Sequence, residues 1–227
     1  MMQPGFYNMD CMEALKQFPD KFFDLAIVDP SYGDAKNRGG TTSYNRFGGR
    51  FDRYKADADG RDVGEKVRKK IIAWDVAPGK EYFDELFRVS RDQIIWGGNY
   101  FKLPPTRCFI VWRKSNIPAE DFSMASIEYA WTSFFRNAEY YESFSSRMKN
   151  EPERIHPTQK PVKLYQWQLE KFAQPGMKIL DTHAGSASSV IACARMGFEC
   201  WGFEIDEDYY RMAEERVRRE LAQGTLF

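Results

Sequence analysis

The sequence predicts an α/β fold built on one mixed sheet of seven strands. Short apolar runs rich in β-branched and aromatic residues alternate with segments of helical periodicity, which is typical of this class. Two of the runs, Leu25–Val28 and Ile179–Leu180, are apolar at every position, as strands are when both faces of a sheet are covered. A strand, a glycine turn and a helix follow one another at 178–192, which is a building unit of such sheets.

The elements follow from these patterns in order. The strands are predicted at Gly5–Asn8, Leu25–Asp29, Gln93–Gly98, Cys108–Arg113, Ser126–Ser133, Lys178–Asp181 and Glu199–Glu204. The helices are predicted at Met12–Gln17, Glu65–Trp74, Glu81–Val89, Pro161–Ala173, Ser186–Met196 and Glu207–Ala222. In the fourth helix, apolar residues recur at spacings of three and four, which gives it one apolar face.

Length and composition are those of a single globular domain, 1–227. Of the 227 residues, 43% are hydrophobic and 29% are charged, and 33 basic residues balance 33 acidic ones. A nucleic-acid-binding protein without net charge must concentrate its positive charge on one face. The N-terminus lacks the features of a signal peptide, and no apolar stretch approaches the ~20 residues that span a bilayer. We therefore expect a cytoplasmic protein with no membrane contact.

The cysteines give no indication of a metal site. Cys11, Cys108, Cys193 and Cys200 form no C-x-x-C pair, and neither histidine lies at zinc-finger spacing. Small buried thiols in a reducing compartment are the expected outcome, and no bound metal is predicted.

An acidic turn, Asp29–Gly33 with the sequence DPSYG, directly follows the strand that contains Leu25–Val28. Ligands bind at strand ends in open α/β sheets. A carboxylate and a backbone carbonyl side by side, from Asp29 and Pro30, can accept both hydrogens of an exocyclic base amine and free its lone pair for attack. The ring of Tyr32 can stack on a base that has been drawn out of the duplex. An ordinary strand-to-loop turn is the alternative.

A second candidate site follows the predicted strand Lys178–Asp181. Gly185 allows close approach of a ligand to the backbone, and Glu204 follows 19 residues later, a spacing at which an acid binds a ribose diol. A pyridine dinucleotide needs G-x-G-x-x-G to pass its pyrophosphate, whereas Ala187 and Val190 occupy the later glycine positions here. The pattern favours a nucleoside cofactor without phosphates, such as S-adenosylmethionine (AdoMet).

Together the two motifs resemble those of the β-group of DNA amino-methyltransferases. DPSY at 29–32 is similar to the group's D-P-P-Y signature, and DTHAGSA at 181–187 resembles its D-P-F-x-G-x-G pattern. The positions that depart from these patterns are Ser31, Thr182, His183 and Ala187. In that group the acceptor motif comes first, as it does here by 152 residues. The resemblance implies a Rossmann-like methyltransferase fold with a circularly permuted chain, with AdoMet as cofactor and double-stranded DNA as substrate.

Further segments extend the resemblance over nearly the whole chain. They are Tyr7–Leu15, Trp96–Phe101, Ile127–Trp131 and Ile155–Pro161. By the resemblance, the catalytic residues are Asp29, Pro30, Ser31 and Tyr32. The implied cofactor-binding residues are Asp10, Asp29, Thr158, Gln159, Lys160, Asp181, Thr182, His183, Ala184, Gly185, Ser186, Glu204 and Ile205. Among them, Asp10 and Ile205 flank the adenine, and Lys160 lies opposite the methionine carboxylate. For Asp10 a helix N-cap is an equally compatible role.

A polar segment at 33–62 begins at the acceptor turn and fits neither helix nor strand. It carries seven basic residues against five acidic ones. Its position predicts an inserted loop that contacts DNA phosphates; a solvated loop is the alternative. The predicted DNA-binding residues are Arg38, Arg46, Arg50 and Arg53.

The last five residues, Gln223–Phe227, resemble the Q-x-x-L-F tails that dock into bacterial sliding clamps. A clamp contact through two apolar side chains is therefore a further expectation. The sequence leaves a homodimer open.

These observations predict a DNA methyltransferase acting on adenine N6, of the kind found in restriction–modification systems. Cytosine N4 is the alternative target, but relatives that act there usually begin the motif with Ser, where this chain has Asp29. An alternative of another class is a non-catalytic DNA-binding module whose altered cofactor turn no longer holds AdoMet.

Overall fold

The computed structural model describes residues 2–33, 76–117, 125–144, 155–156 and 158–224. The strands are β1 (Gly5–Asn8), β2 (Phe23–Val28), β3 (Ser90–Trp96), β4 (Phe109–Lys114), β5 (Ile127–Thr132), β6 (Glu139–Ser143), β7 (Lys178–Asp181) and β8 (Glu199–Glu204). The helices are α1 (Cys11–Leu15), α2 (Lys80–Val89), α3 (Val162–Phe172), α4 (Ser188–Met196) and α5 (Glu207–Gly224), with a 3₁₀ turn at Gly98–Tyr100. The predicted features outside the described residues are the helix Glu65–Trp74, the DNA-contact residues Arg38, Arg46, Arg50 and Arg53, and the tail residues 225–227.

All the described strands form one mixed sheet in the order β1-β8-β7-β2-β3-β5-β4-β6. The first five strands in this order are mutually parallel. β5 runs antiparallel to both β3 and β4, and β6 is parallel to β4. The two last strands of the chain, β7 and β8, lie between β1 and β2, as a circular permutation of the chain predicts.

The number of strands differs from the prediction. The described sheet has eight strands rather than seven, and the additional strand is β6 at the end of the strand order. Its sequence, EYYES, alternates between half-buried and exposed positions, so it lacks the apolar run by which the other strands are recognised. The predicted ends of the other described elements differ from the observed ones by at most three residues, as is usual for boundaries predicted from sequence.

Helices cover both faces of the sheet, and β2 shows why its sequence is continuously apolar. Leu25 and Ile27 belong to the apolar cluster that includes side chains of α3, α4 and α5. Ala26 and Val28 belong to the cluster that includes side chains of α1 and α2. Because successive side chains of a strand point to opposite faces, every position of β2 needs an apolar residue. The prediction of a strand covered on both faces is confirmed.

The parallel part of the sheet brings the two predicted motifs together. β2 pairs directly with β7, with Ala26 opposite Leu180. The turns that follow these strands therefore start at the same edge of the sheet, as do those after β1, β8 and β3. Within the described ranges, no helix combines the length and apolarity needed to cross a bilayer.

Candidate active site

A cavity of about 420 Å³ lies at this edge of the sheet. Its walls come from the turn after β1, the segment leading into α2, the turn after β7 and the end of β8. Five of the predicted cofactor residues line it, namely Asp10, Thr182, His183, Glu204 and Ile205. Met9, Met12, Val76 and Phe203 add apolar surface. The volume and the mostly apolar lining with a few polar groups are typical of a small-molecule site.

Glu204 is held rigidly at the wall of this cavity. Its Oε2 accepts a hydrogen bond from the backbone N–H of Gly185 at 3.0 Å, and its Oε1 accepts one from the N–H of Asp206 at 2.8 Å. Burial raises the pKa of the Glu204 carboxyl, and the two backbone N–H groups oppose this shift. The predicted glycine and the predicted acid are thus joined directly, which fixes the carboxylate relative to the turn.

Asp10 fills the role that its local sequence predicts. Its Oδ1 accepts a hydrogen bond from the backbone N–H of Met12 at 2.7 Å, so it caps the N-terminus of α1. The same side chain lines the cavity. An N-cap uses one carboxylate oxygen, so this role and contact with a ligand are compatible.

A buried arginine of α5 holds the turn between β7 and α4 in place. Nη1 of Arg216 donates to the carbonyl of Ser186 at 2.7 Å and to Oγ of Ser188 at 2.9 Å. Ala187, between them, has a φ of 57°, in the left-handed region where D-P-F-x-G-x-G has its last glycine. A non-glycine residue there costs about 1–2 kcal/mol. The alanine at this position therefore adds strain to the turn.

Two titratable groups at the start of this turn have shifted pKa values. Burial raises the pKa of Asp181 to about 7, although its oxygens accept hydrogen bonds from the N–H of His183 and the hydroxyl of Ser189. Burial lowers the pKa of His183 to about 4, so the imidazole is neutral at physiological pH. Its ring packs edge-on to Tyr82 at 5.3 Å, which agrees with a packing role.

We expect Asp181→Asn to stabilise the protein in a pH-dependent manner. The folded-state pKa of about 7 lies above the ordinary aspartate value of 3.8, so folding takes up a proton, and the wild type loses stability as the pH rises from about 4 to 7. Asparagine does not ionise and retains an acceptor for His183 N–H. The variant's advantage in melting temperature should therefore grow over this range and level off above pH 7. A constant difference from pH 4 to 8 would contradict the burial argument.

The acceptor turn is organised around the carboxylate of Asp29. Its Oδ1 accepts a hydrogen bond from the Tyr32 hydroxyl at 2.8 Å, and its Oδ2 binds the ammonium of Lys160. The Tyr32 ring lies so close to Gly97 that a Cβ there would meet it at 2.1 Å. It also stacks on Tyr100, with ring centroids 4.6 Å apart and planes 13° apart. In this structure, therefore, a tyrosine already stacks on the ring predicted to receive a base.

The segment before α3 connects the two turns. The ring of His156 packs on Tyr209, with centroids 4.4 Å apart, and lies beside Gly185. Oγ1 of Thr158 lies 3.1 Å from Nδ1 of His156. Gln159, predicted as a cofactor residue, is buried, and its Oε1 accepts a hydrogen bond from the N–H of Ile155 at 3.1 Å. These contacts hold the ring of His156 between Tyr209 and the Gly185 turn.

Several residues at the site were missed by the sequence reasoning. Lys160 was predicted at the site, but not its pairing with Asp29 and Glu128. Tyr82, which hydrogen-bonds Thr182 at 2.6 Å, was also missed. The burial of Arg216 could have been predicted, because this residue lies three positions after the buried Ala213 on the apolar face of α5.

Most of the cysteines are buried, as the sequence predicts. All four cysteines are free, and Cys108, Cys193 and Cys200 are buried. Cys11 is partly buried and lines the cavity, and burial raises the pKa of its thiol to about 12. Across the described part of the chain, no three His, Cys, Asp or Glu side chains are grouped as metal ligands.

Comparison with solved structures identifies the fold class. M1.HpyAVI in complex with SAM matches with a TM-score of 0.57 at 17% identity, covering 96% of this chain and 99% of that one. PvuII DNA methyltransferase, which is cytosine-N4-specific, matches with a TM-score of 0.56 at 12% identity, covering 98% and 93%. These likenesses show a Rossmann-like methyltransferase fold, so the predicted fold class is confirmed.

Sequence comparison points in the same direction. Residues 109–215 match the N6/N4 methyltransferase family model described as DNA methylase. The type II methyltransferase M.HpaI of Haemophilus parainfluenzae is 22% identical over an alignment of 242 positions, which covers 93% of this chain and 73% of that protein. YubD of Escherichia coli (strain K12), named as a candidate methylase, is 39% identical over 74 residues, 31% of this chain and only 33% of YubD.

Proposed function

We propose that this protein transfers the methyl group of AdoMet to the N6 amine of an adenine flipped out of double-stranded DNA. The observation that carries the proposal is the meeting of two motifs at one sheet edge. Asp29 follows β2 and the Gly185 turn follows β7, and these strands are hydrogen-bonded neighbours. The groups proposed to accept an amine and the groups proposed to hold a nucleoside therefore follow neighbouring strands, and an in-line transfer requires them to be close.

The residues at the cavity fit AdoMet. The carboxylate of Glu204 is proposed to accept hydrogen bonds from a ribose diol, and Asp10 and Ile205, which line the same cavity, are proposed to flank the adenine ring. Because His183 is neutral at physiological pH, it does not repel the sulfonium cation. When bound, AdoMet supplies an electrophilic methyl group with a thioether as leaving group. Thr158, Gln159 and Lys160 are proposed to lie near its methionine end.

The acceptor turn supplies the other half of the reaction. The Asp29 carboxylate and the Pro30 carbonyl are proposed to accept the two hydrogens of the base amine, which frees the nitrogen lone pair. As this nitrogen bonds to the methyl carbon, the carbon–sulfur bond breaks, and the surplus proton of the nitrogen passes to the Asp29 carboxylate and from there to solvent. Ser31 occupies the position of the second proline of D-P-P-Y, and Tyr32 is proposed to stack on the base after Tyr100 has moved away.

Adenine is preferred to cytosine because the acceptor motif begins with Asp29 rather than serine. The fold likeness to PvuII DNA methyltransferase keeps cytosine N4 as the second candidate. We also propose that Arg38, Arg46, Arg50 and Arg53 contact DNA phosphates, and that the C-terminal tail binds a sliding clamp.

Nucleoside mass spectrometry tests the proposal directly. The purified protein is incubated with AdoMet carrying a deuterated methyl group and with PCR-amplified genomic DNA, which is unmethylated and varied in sequence. We expect labelled N6-methyladenine after digestion. Labelled N4-methylcytosine would instead identify the second candidate. No labelled base, together with no AdoMet binding by calorimetry, would overturn the enzymatic proposal and favour a DNA-binding module.

We expect Tyr32→Ala to raise the KM for DNA roughly tenfold to a hundredfold, because base–aromatic stacking contributes about 1–3 kcal/mol. Tyr32→Phe keeps the ring and loses only the hydroxyl bond to Asp29, so its KM should stay within about threefold of wild type. Steady-state kinetics with varied DNA concentration measures both. Equal KM values for the two variants would contradict a stacking role.

A further inference from the structure

A series of alternating charges extends from the acceptor carboxylate into the protein. The ammonium of Lys160 binds Asp29 and also lies 3.3 Å from Oε2 of Glu128. The other carboxylate oxygen of Glu128 accepts a hydrogen bond from Lys114. The lysine side chains are only 4% and 8% exposed, so both ammonium groups are shielded from water. We call these four residues the charge relay.

The relay joins four separate segments of the chain. Asp29 follows β2, Lys160 precedes α3, Glu128 lies on β5, and Lys114 ends β4. Two tryptophans also contact it. The ammonium of Lys160 lies 5.1 Å from the ring centroid of Trp96, and that of Lys114 lies 5.0 Å from the ring centroid of Trp112. The charge relay is therefore part of the packed core and does not consist of flexible surface side chains.

Stability alone does not explain this arrangement. Ions that are removed from water lose hydration, and well-packed apolar residues of similar volume often stabilise a core equally well or better. The neighbouring charges nevertheless outweigh the effect of burial on the pKa values of Glu128 and Lys160. Lys160 and Lys114 lower the pKa of Glu128 despite its burial. Asp29 and Glu128 raise the pKa of Lys160 despite its burial. Both groups therefore keep their charges near neutral pH.

The geometry explains what the relay can do. A lysine has a flexible stem and three N–H donors, so a single contact with Asp29 would leave the ammonium free to swing. Glu128 gives the ammonium a second anchor, and Lys114 fixes Glu128 in turn. Methyl transfer depends on alignment, and a misplacement of about 1 Å can cost about 10²-fold in rate.

We propose that Glu128 and Lys114 are positioning residues for methyl transfer, which hold Lys160 and through it orient the Asp29 carboxylate toward the base amine. This inference rests on the proposed function. Neither residue lines the cavity of Asp10 and Glu204, so we expect their effect on the reaction to pass through Lys160 and not through a direct contact with the nucleoside.

The first test is the Glu128→Gln variant, which keeps the shape of the side chain and removes its charge. We expect kcat to fall at least tenfold, while the KM for DNA and the Kd for AdoMet stay within about threefold of wild type. The matched control is Glu142→Gln. Glu142 is an exposed glutamate of β6 that accepts hydrogen bonds from Ser115 and Tyr140, and its kcat should not change. A kcat within twofold of wild type for Glu128→Gln overturns the inference.

A double-mutant cycle separates positioning from general damage. Lys114→Met should lower kcat less than Glu128→Gln does, because Glu128 remains in contact with Lys160. If both act through one relay, the double variant should lose little more than Glu128→Gln alone. Losses that multiply fully would overturn the inference. If Glu128→Gln does not fold, Lys114→Met and Glu128→Asp replace it, and wild-type kcat in both would overturn the inference.

The activity of the wild-type protein distinguishes a failure of the proposed function from a failure of the relay inference. If it transfers no methyl group to any base, the proposed function fails. If it is active and Glu128→Gln is equally active, only the relay inference fails.

Discussion

Asp29→Asn is expected to lower kcat by about 10³-fold, comparable to the loss of a preorganised electrostatic group in other active sites. The amide presents an N–H donor where the base amine needs an acceptor, and it carries no charge to stabilise the positive charge that develops on the attacking nitrogen. AdoMet should still bind, because Glu204 and the Gly185 turn are untouched. Transfer of a tritiated methyl group to DNA measures the rate, and calorimetry measures the affinity.

Folding of this variant needs its own control, because Asp29 is paired with Lys160. Lys160 retains Glu128 as a partner, so we expect a stability loss of about 1.5–3 kcal/mol, the worth of a hydrogen bond to a charged group. Assays should therefore run well below the melting temperature. Asp84→Asn is the matched variant, since Asp84 is an exposed aspartate of α2 that pairs with Lys80. Activity of Asp29→Asn within tenfold of wild type would refute the assignment of the acceptor carboxylate.

The features of the fold that could be predicted from the sequence are those that local patterns or recognised motifs encode. The continuous apolar run of β2 indicated a strand covered on both faces, and the two apolar clusters confirm it. The resemblance to the β-group implied a permuted chain, and the position of β7 and β8 confirms it. The positions of Gly185 and Glu204 indicated a turn facing an acid, and a hydrogen bond joins them.

Other features depend on contacts between remote segments, which no local pattern encodes. Lys160 and Asp29 are 131 residues apart, and only the docking of α3 on the sheet brings them together. β6 was missed because its glutamates and tyrosines resemble a polar loop until β4 provides a pairing partner. Glu128 lies on a strand whose other face is apolar, so its charge was visible, but its two lysine partners were not.

Glu204→Gln is expected to weaken AdoMet binding by roughly tenfold to a hundredfold. A charged carboxylate that accepts two ribose hydroxyls contributes about 1.5–3 kcal/mol more than no contact, and a neutral amide retains only part of this. Burial already raises the pKa of Glu204. The ionised form is stabilised by the N–H groups of Gly185 and Asp206, and the hydroxyls of a bound ribose would stabilise it further. Glutamine can accept from one of these N–H groups and must turn its own N–H₂ toward the other.

This loss should appear in the Kd for AdoMet and in its KM, with a smaller effect on kcat at saturating cofactor, because Glu204 binds the nucleoside and not the reacting atoms. Glu207→Gln is the matched control, since Glu207 begins α5, is exposed and pairs with Arg211. Isothermal titration with AdoMet distinguishes the two variants. A Glu204→Gln variant that binds AdoMet as tightly as wild type but has lost activity would place the ribose elsewhere. It would then favour a role for Glu204 in holding the Gly185 turn.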